Sequence, residues 1–282
     1  MISVPGKSLC IVALALLAFV AATPARADDT PTFIADPASR CSVGTYHPVP
    51  GLTVHWSGAC VAGKADGSGV AEWRANGALI SRSEGVFRAG LREGRALSTI
   101  PSADGDVRWE AEFRNGRMNG RCVMTKPDVR VEGQCANDLF NGPGVATFTN
   151  GNRYEGNFKD SEFNGQGVFS RKDGSRLEGE WLHNHINGKG RGVYPGIGRY
   201  EGDFVNGDFE GRGTYYFDED ANVYEGEWHK GLPNGRGVLH GTTHGLLGQG
   251  RHDYVGTWVN GCFHQEPYTA EVMTTRAACG FD

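Results

Sequence analysis

Between residues 153 and 159 the chain reads Arg-Tyr-Glu-Gly-Asn-Phe-Lys, with Tyr154, Gly156 and Phe158 on one side and Arg153, Glu155 and Asn157 on the other. Strict period two marks a β-strand with two unlike faces. The phrase returns as Arg-Leu-Glu-Gly-Glu-Trp at 176–181, Arg-Tyr-Glu-Gly-Asp-Phe at 199–204 and Val-Tyr-Glu-Gly-Glu-Trp at 223–228. Each copy is followed by a second β-like run built on Gly-x-Gly and apolar residues, such as Gly165-Gln166-Gly167-Val168-Phe169. Asn164-Gly165, Asn187-Gly188, Asn206-Gly207 and Asn234-Gly235 stand near the loop inside each unit. Asn76-Gly77, Asp104-Gly105, Asn150-Gly151 and Asp173-Gly174 stand between units. Such pairs supply the positive φ that tight hairpin turns need, and no stretch keeps a helical period in competition. The expectation is a chain that zigzags as one antiparallel sheet.

Anchored on Gly156, equivalent positions fall at Gly58, Gly85, Ala111, Gly133, Gly156, Gly179, Gly202, Gly226 and Gly256, spaced 27, 26, 22, 23, 23, 23, 24 and 30 apart. A fixed period of this length means a repeat array. The fold expected is all-β: an elongated, single-layer antiparallel array of about nine hairpins over residues 54–262. At ~4.8 Å per strand its eighteen strands would span roughly 85 Å. Glycine, at 43 residues, is about twice as frequent as usual, and its placement is periodic. A strand glycine leaves a gap that a neighbouring ring can cover, so Gly165 and Gly167 are expected beside the aromatic side chains. On the opposite face Arg82, Arg108, Arg130, Arg153, Arg176 and Arg199 each stand two residues before a glutamate, and Arg121, Arg212 and Arg236 lie near the same rows. This reads as a solvated, self-neutralised face.

Composition narrows the setting. Residues 1–27 carry a basic Lys7, an apolar run from Leu9 to Ala22, and Ala25-Arg26-Ala27, which fits small-x-small cleavage, so they read as a signal peptide. No transmembrane span is expected after its removal. The formal charge of -5 becomes -7 once Lys7 and Arg26 are gone, which argues against nucleic acid as a partner. Six cysteines then remain as disulfide candidates: Cys41, Cys60, Cys122, Cys135, Cys262 and Cys279. Fifteen pairings are possible, and sequential pairing is favoured. The chain is expected to be exported, periplasmic or alternatively extracellular.

The phrase Y-E-G-x-[FW] with G-x-G at a 23-residue step resembles the MORN repeat (membrane occupation and recognition nexus). Tyr154-Glu155-Gly156-Asn157-Phe158 with Gly165 and Gly167 carries the likeness, as do Glu178-Gly179-Glu180-Trp181 with Gly188 and Gly190. So do Tyr200-Glu201-Gly202-Asp203-Phe204 with Gly211 and Gly213, and Tyr224-Glu225-Gly226-Glu227-Trp228 with Gly235 and Gly237. The units around Gly58, Gly85, Ala111, Gly133 and Gly256 keep only parts of the phrase. The resemblance implies a ribbon of stacked hairpins that serves as scaffold or binding module, often at membranes, with any chemistry carried by a separate domain. Cys60 and Cys135 take aromatic positions and Cys122 a glycine position. Cys41–Cys60 and Cys262–Cys279 would then tie down an N-terminal cap (28–53) and a C-terminal cap (263–282), with Cys122–Cys135 joining adjacent units.

Candidate chemistry is sparse. No Ser-hydrolase elbow, phosphate loop, dinucleotide fingerprint or zinc-protease motif occurs, and Gly-Leu-Leu-Gly-Gln-Gly (245–250) lacks the Lys-Ser/Thr of a phosphate loop. Asp218-Glu219-Asp220-Ala221-Asn222 starts like a calcium loop but has Val223 where glycine is required, so it reads as an acidic turn. His183 with His185, and His240, His244 and His252 in the insert 239–253, lack the spacing of a metal site. No metal, cofactor or enzymatic activity is expected. The candidate contact is an aromatic groove of Tyr154, Phe158, Trp181, Tyr200, Phe204, Tyr224, Trp228, Tyr254 and Trp258, with the insert second. The function read from these features is an exported, non-enzymatic scaffold that binds a protein of the cell envelope. The alternative is a lipid- or glycan-binding surface protein.

Overall fold

The computed structural model describes residues 30–218, 222–245, 248–265 and 268–280, with the backbone alone at 242–245 and 248–252. The signal peptide expected at 1–27 lies outside the described residues. Among those described are twenty-two strands and a single short 3-10 turn, Ala277–Cys279. The chain forms two compact units, one ending at Ser161 and one beginning at Glu162.

In the first unit, Thr32–Ala35 and Ser42–Thr45 make a small hairpin. Leu52–Trp56 and Ala59–Val61 both pair with the long strand Lys64–Ala75, broken apart at Ser57-Gly58. From there Ala78–Arg88, Leu91–Ile100, Val107–Arg114, Arg117–Thr125, Val129–Ala136, Leu139–Phe148 and Arg153–Lys159 each pair antiparallel with the strand before. The second unit is likewise a meander, from Glu162–Ser170 to Tyr268–Glu271. Within each unit this is the antiparallel hairpin array expected from the period.

The repeat phrase has a physical reading. Tyr200 folds forward over Gly202 and its hydroxyl donates to the Asp203 carbonyl at 2.9 Å. Tyr154 and Tyr224 do the same to Asn157 (2.9 Å) and Glu227 (3.2 Å). A side chain at the intervening position would collide: a methyl on Gly202 would lie 2.5 Å from the Gly213 Cα, and one on Gly213 would overlap the Tyr200 ring. Glycines therefore pair across strands in an unbroken line, Gly167 with Gly179, Gly190 with Gly202, Gly213 with Gly226, Gly237 with Gly256. The tryptophans lie along the same line, Trp181 donating to the Gly167 carbonyl and Trp228 to that of Gly213, both at 3.0 Å. Where the tyrosine is lost, Ser83 is buried and bonds Ser98 at 2.9 Å.

The Asn-Gly pairs divide. Asn206-Gly207 is a hairpin turn, with φ 49° and 88°. Asn164-Gly165, Asn187-Gly188 and Asn234-Gly235 are not turns but lie inside second strands, with glycine φ of 72°, 80° and 108°. The register explains it: Trp181 pairs with Ile186 and Gly179 with Gly190, so Glu180 alone faces three residues, a bulge whose positive φ falls to glycine. A first-strand carboxylate caps the bulge where Asp203 accepts the Arg212 N–H at 3.2 Å and Glu227 that of Arg236 at 2.7 Å. The turns themselves are Asp160-Ser161, His183-Asn184 and Lys230-Gly231, all at positive φ.

The two edges of the meander differ. Along one, every connection is a two-residue turn, from Ala62-Gly63 and Ala89-Gly90 to Asn260-Gly261. Along the other, connections vary from Asn76-Gly77 to the longer loop between Ile100 and Val107. The described part of the segment 239–253, expected as an irregular insert, is a regular extension of that second edge: strands Leu232–Gly245 and Gly248–Val259 stay in register out to Gly245 opposite Gly248.

Cys41 pairs with Cys60, Cys122 with Cys135 and Cys262 with Cys279, with Cα separations of 5.6, 5.9 and 5.5 Å. Near the first bridge the buried Asp36 carboxylate accepts from Ser39 Oγ (2.7 Å), Ala38 N–H (3.0 Å) and Trp56 N–H (3.2 Å), tying the N-terminal hairpin to the first array strand. Burial pushes this carboxyl up, but the three donors outweigh it and hold its pKa at about 2.

Two predictions follow from the packing. Gly213→Ala should cost about 1–3 kcal/mol through overpacking on Tyr200, and Tyr200→Phe about 0.5–1.5 kcal/mol through the lost hydrogen bond, both read from denaturation followed by tryptophan fluorescence. A carboxyl held at about 2 when folded, against ~3.9 unfolded, contributes stability present above pH ~4 and lost as pH falls toward the folded value. Asp36→Asn should therefore lower the melting temperature at neutral pH and flatten its fall between about pH 4 and 2, checked by melting across that range.

Candidate binding surface

The nine aromatic residues expected to line a groove are all buried: Tyr154, Tyr200, Tyr224 and Trp258 are 0 % exposed, and Trp181 and Tyr254, the most exposed of the nine, reach 5 %. They correct the expectation of an open groove, because the rings cover one another. Tyr200 stacks on Phe209 with centroids 3.8 Å apart and meets Phe204 (5.1 Å) and Trp228 (5.3 Å) edge-on. Phe209 opens the second strand, where the bulge brings its ring back over the sheet. The same role falls to Phe140, Phe163, Ile186 and Phe263, all buried. A single layer thus hides its rings by having each hairpin supply a third apolar side chain that the repeat phrase alone does not reveal.

The opposite face is polar and solvent-exposed. Arg82 pairs with Glu84 (2.9 Å), Arg153 with Glu155 (2.5 Å) and Arg176 with Glu178 (2.9 Å), and Arg130 pairs with Glu132. Second-strand cations join in, Arg95 with Glu110 at 3.1 Å and Arg191 with Glu201 at 3.4 Å. These exposed pairs neutralise the face and add little stability. In the first unit this face holds a shallow groove of about 430 Å³ between Arg121, Glu132, Gln134, Glu155 and Asn157, floored by glycine backbone.

The two-residue turns form a second surface, joined by their own hydrogen bonds. In each turn the second residue donates its N–H to a carbonyl at the start of the preceding hairpin's second strand: Gly90 to Ala65 (2.8 Å), Gly116 to Arg92 (2.9 Å), Ser161 to Phe140 (2.9 Å), Asn184 to Phe163 (3.1 Å) and Gly207 to Ile186 (3.0 Å). The first turn residue donates to a side chain, as Ala89 does to Asp66 (3.1 Å), Asp160 to Asn141 (3.1 Å), Asn206 to Asn187 (3.0 Å) and Lys230 to Glu210 (3.0 Å). Sequence reasoning missed this role of Asn141 and Asn187. Their signal was position, since each directly precedes a bulge glycine.

Flanking segments lie on this turn edge. Ser42 donates its N–H to the Gly63 carbonyl (2.9 Å) and Gly44 to that of Gly90 (2.8 Å), while Tyr46 Oη reaches the Asn115 carbonyl at 2.9 Å. The residue just after each turn holds the segment's rings: Lys64 Nζ sits 4.4 Å over Phe33 and the Arg117 guanidinium 3.9 Å over Tyr46. At the far end Val272 donates to the Gly261 carbonyl at 2.8 Å.

Among the described residues the histidine side chains do not assemble. His183 lies in a turn against Glu162 (2.6 Å), His240 meets Asp253 (2.9 Å), and the side chains of His244 and His252 lie outside the described residues. His185, two residues from His183, has a buried Nδ1 without a hydrogen-bond partner among the described residues. Among those residues no three His, Cys, Asp or Glu side chains cluster as metal ligands. Of the acidic turn, residues 219–221 lie outside the described residues. No helix among the described residues is long and apolar enough to cross a membrane.

The family model for the MORN repeat matches residues 109–128, 132–153, 154–176, 178–195, 200–219 and 224–245. No curated protein matches the chain. The matched stretches include the weaker units around Ala111 and Gly133, while those around Gly85 and Gly256 share the strand pairing without the match, and the one around Gly58 is interrupted between its two short strands. The tyrosine-over-glycine contact recurs at Tyr154, Tyr200 and Tyr224 inside the matched stretches, and the six stretches that match the MORN repeat follow one another across residues 109–245.

Proposed function

We propose that this protein is an exported, non-catalytic scaffold that binds a protein partner of the cell envelope along the outer surfaces of its repeat array. The observation that carries the reading is the run of six binding-type repeats, whose turn edge already holds an extended segment of the same chain. Three disulfides at normal Cα separation support an oxidising compartment such as the periplasm. The nine aromatic residues serve this reading as its rigid core, so the partner contacts the polar face and the turn edge. The alternative, lipid or glycan held by the aromatic row, would need the rings turned outward.

The test is chemical crosslinking of the tagged chain in its native envelope, followed by capture, mass spectrometry and reconstitution of the purified pair. One protein that copurifies specifically and rebinds at a defined stoichiometry is the expected result. Recovery of lipid or wall glycan alone would reject it. Full retention of the protein in the cytosol with its cysteines reduced would reject the export.

A further inference from the structure

The turn edge repeats one device three times within this chain. An extended flanking segment donates a backbone N–H to the carbonyl of the second residue of a turn: Ser42 to Gly63, Gly44 to Gly90 and, in the second unit, Val272 to Gly261. In the first unit the donors are two residues apart and serve successive turns, so one edge of an extended segment faces the row of tips. The two donors of the first unit, Ser42 and Gly44, are small. A methyl on Gly44 would lie 2.5 Å from Leu91, the residue that follows the Gly90 tip.

In the second unit the tips at Asn184 and Gly207 have the same geometry and the same N–H bonds to the preceding hairpin. No donor among the described residues reaches either carbonyl. Within the second unit the next tip, Gly231, is already buried, which leaves Asn184 and Gly207 as two successive open tips there, the number that the N-terminal segment occupies. The Asp138 and Ser161 tips of the first unit share the donor-free carbonyl among the described residues but lack the buried ring nitrogen of His185. The residue after each tip is the one that grips the docked segment in the first unit, as Lys64 and Arg117 do. Here those residues are His185, with its orphaned and buried Nδ1, and Asp208. A buried ring nitrogen without a partner costs free energy that an incoming group could recover.

We propose that the Asn184 and Gly207 tips, with His185 and Asp208, form a docking site for an extended strand of a partner protein. The strand donates alternate backbone N–H groups to the two tip carbonyls, carries small residues at those donor positions, and sets a basic side chain against Asp208. This is strand recognition of the kind used at sheet edges, moved to a row of turns. It rests on the scaffold reading above and says where that scaffold holds its partner.

The test uses the full chain in its native envelope, with a photocrosslinking residue introduced at His185, at Asp208 and, as outer-face controls, at Glu178 and Glu201. The crosslinked partner segment is sequenced, synthesised, and compared with versions N-methylated one residue at a time. The expected result is crosslinking from the two edge positions alone, with affinity falling about tenfold or more for N-methylation at alternate residues and little for those between. Asp208→Lys should weaken the unmethylated peptide about tenfold, with a reduced salt dependence. Crosslinks from the controls but not the edge would overturn this site and leave the scaffold reading standing. Indifference to N-methylation would overturn the strand mode, and no protein crosslink at any position would overturn both.

Discussion

A tyrosine laid over a glycine two residues ahead is the contact from which the rest of the array is assembled. The ring needs a bare backbone beneath it, and its hydroxyl needs a carbonyl one residue further on, as in the bond from Tyr200 to Asp203. Both conditions are met inside four residues, so each first strand carries its own local core before it pairs with anything. Pairing then adds the glycine of the neighbouring strand, and the bulge returns a second-strand ring such as Phe209 to close the stack. Apolar burial in a single layer comes from this sequence of short-range contacts, each of which contributes on the scale of a buried aromatic side chain.

Because the rings are spent on the core, recognition falls to surfaces made by backbone and by charge. The outer face is neutral in sum, its Arg–Glu pairs being exposed and well hydrated. The turn edge is different in kind, since its carbonyls are fixed in direction by two hydrogen bonds per turn. Preorganised acceptors at a regular step suit an extended chain, which presents donors at a regular step of its own.

The strand alternation from Arg153 to Lys159 and the 23-residue step were enough to give the β class, the repeat and the ring-facing-glycine arrangement. The sequential cysteine pairs were legible too, because the six fall as three couples along the chain, Cys41 with Cys60, Cys122 with Cys135 and Cys262 with Cys279. Two things were not. Asn187-Gly188 and Asn206-Gly207 are the same dipeptide, yet one is a bulge and the other a turn; only the register, set by Trp181 opposite Ile186, tells them apart. The exposure of the aromatic row was misjudged because Phe140, Phe163 and Phe209 were not counted as a third member of each cluster. Their contribution depends on a bulge that shifts the register of the second strand and bends it, and such a bend is a three-dimensional fact with a weak signal in the sequence.

The inequality of the two edges bears on how such an array can change in length. Every connection on the turn edge is held at two residues by bonds to its neighbour, so an added residue there would uncouple adjacent repeats. The opposite edge is stitched only in places, where Thr149 donates to the Asp128 carbonyl and Asp218 to that of Ile197, and its connections range from Asn76-Gly77 to the long extension paired out to Gly245 and Gly248. Growth is thereby directed to one side of the molecule. New material can be grafted, lost or lengthened along the loose margin without disturbing the spacing kept by the other, much as a bound book gains pages at the fore-edge while the spine stays sewn.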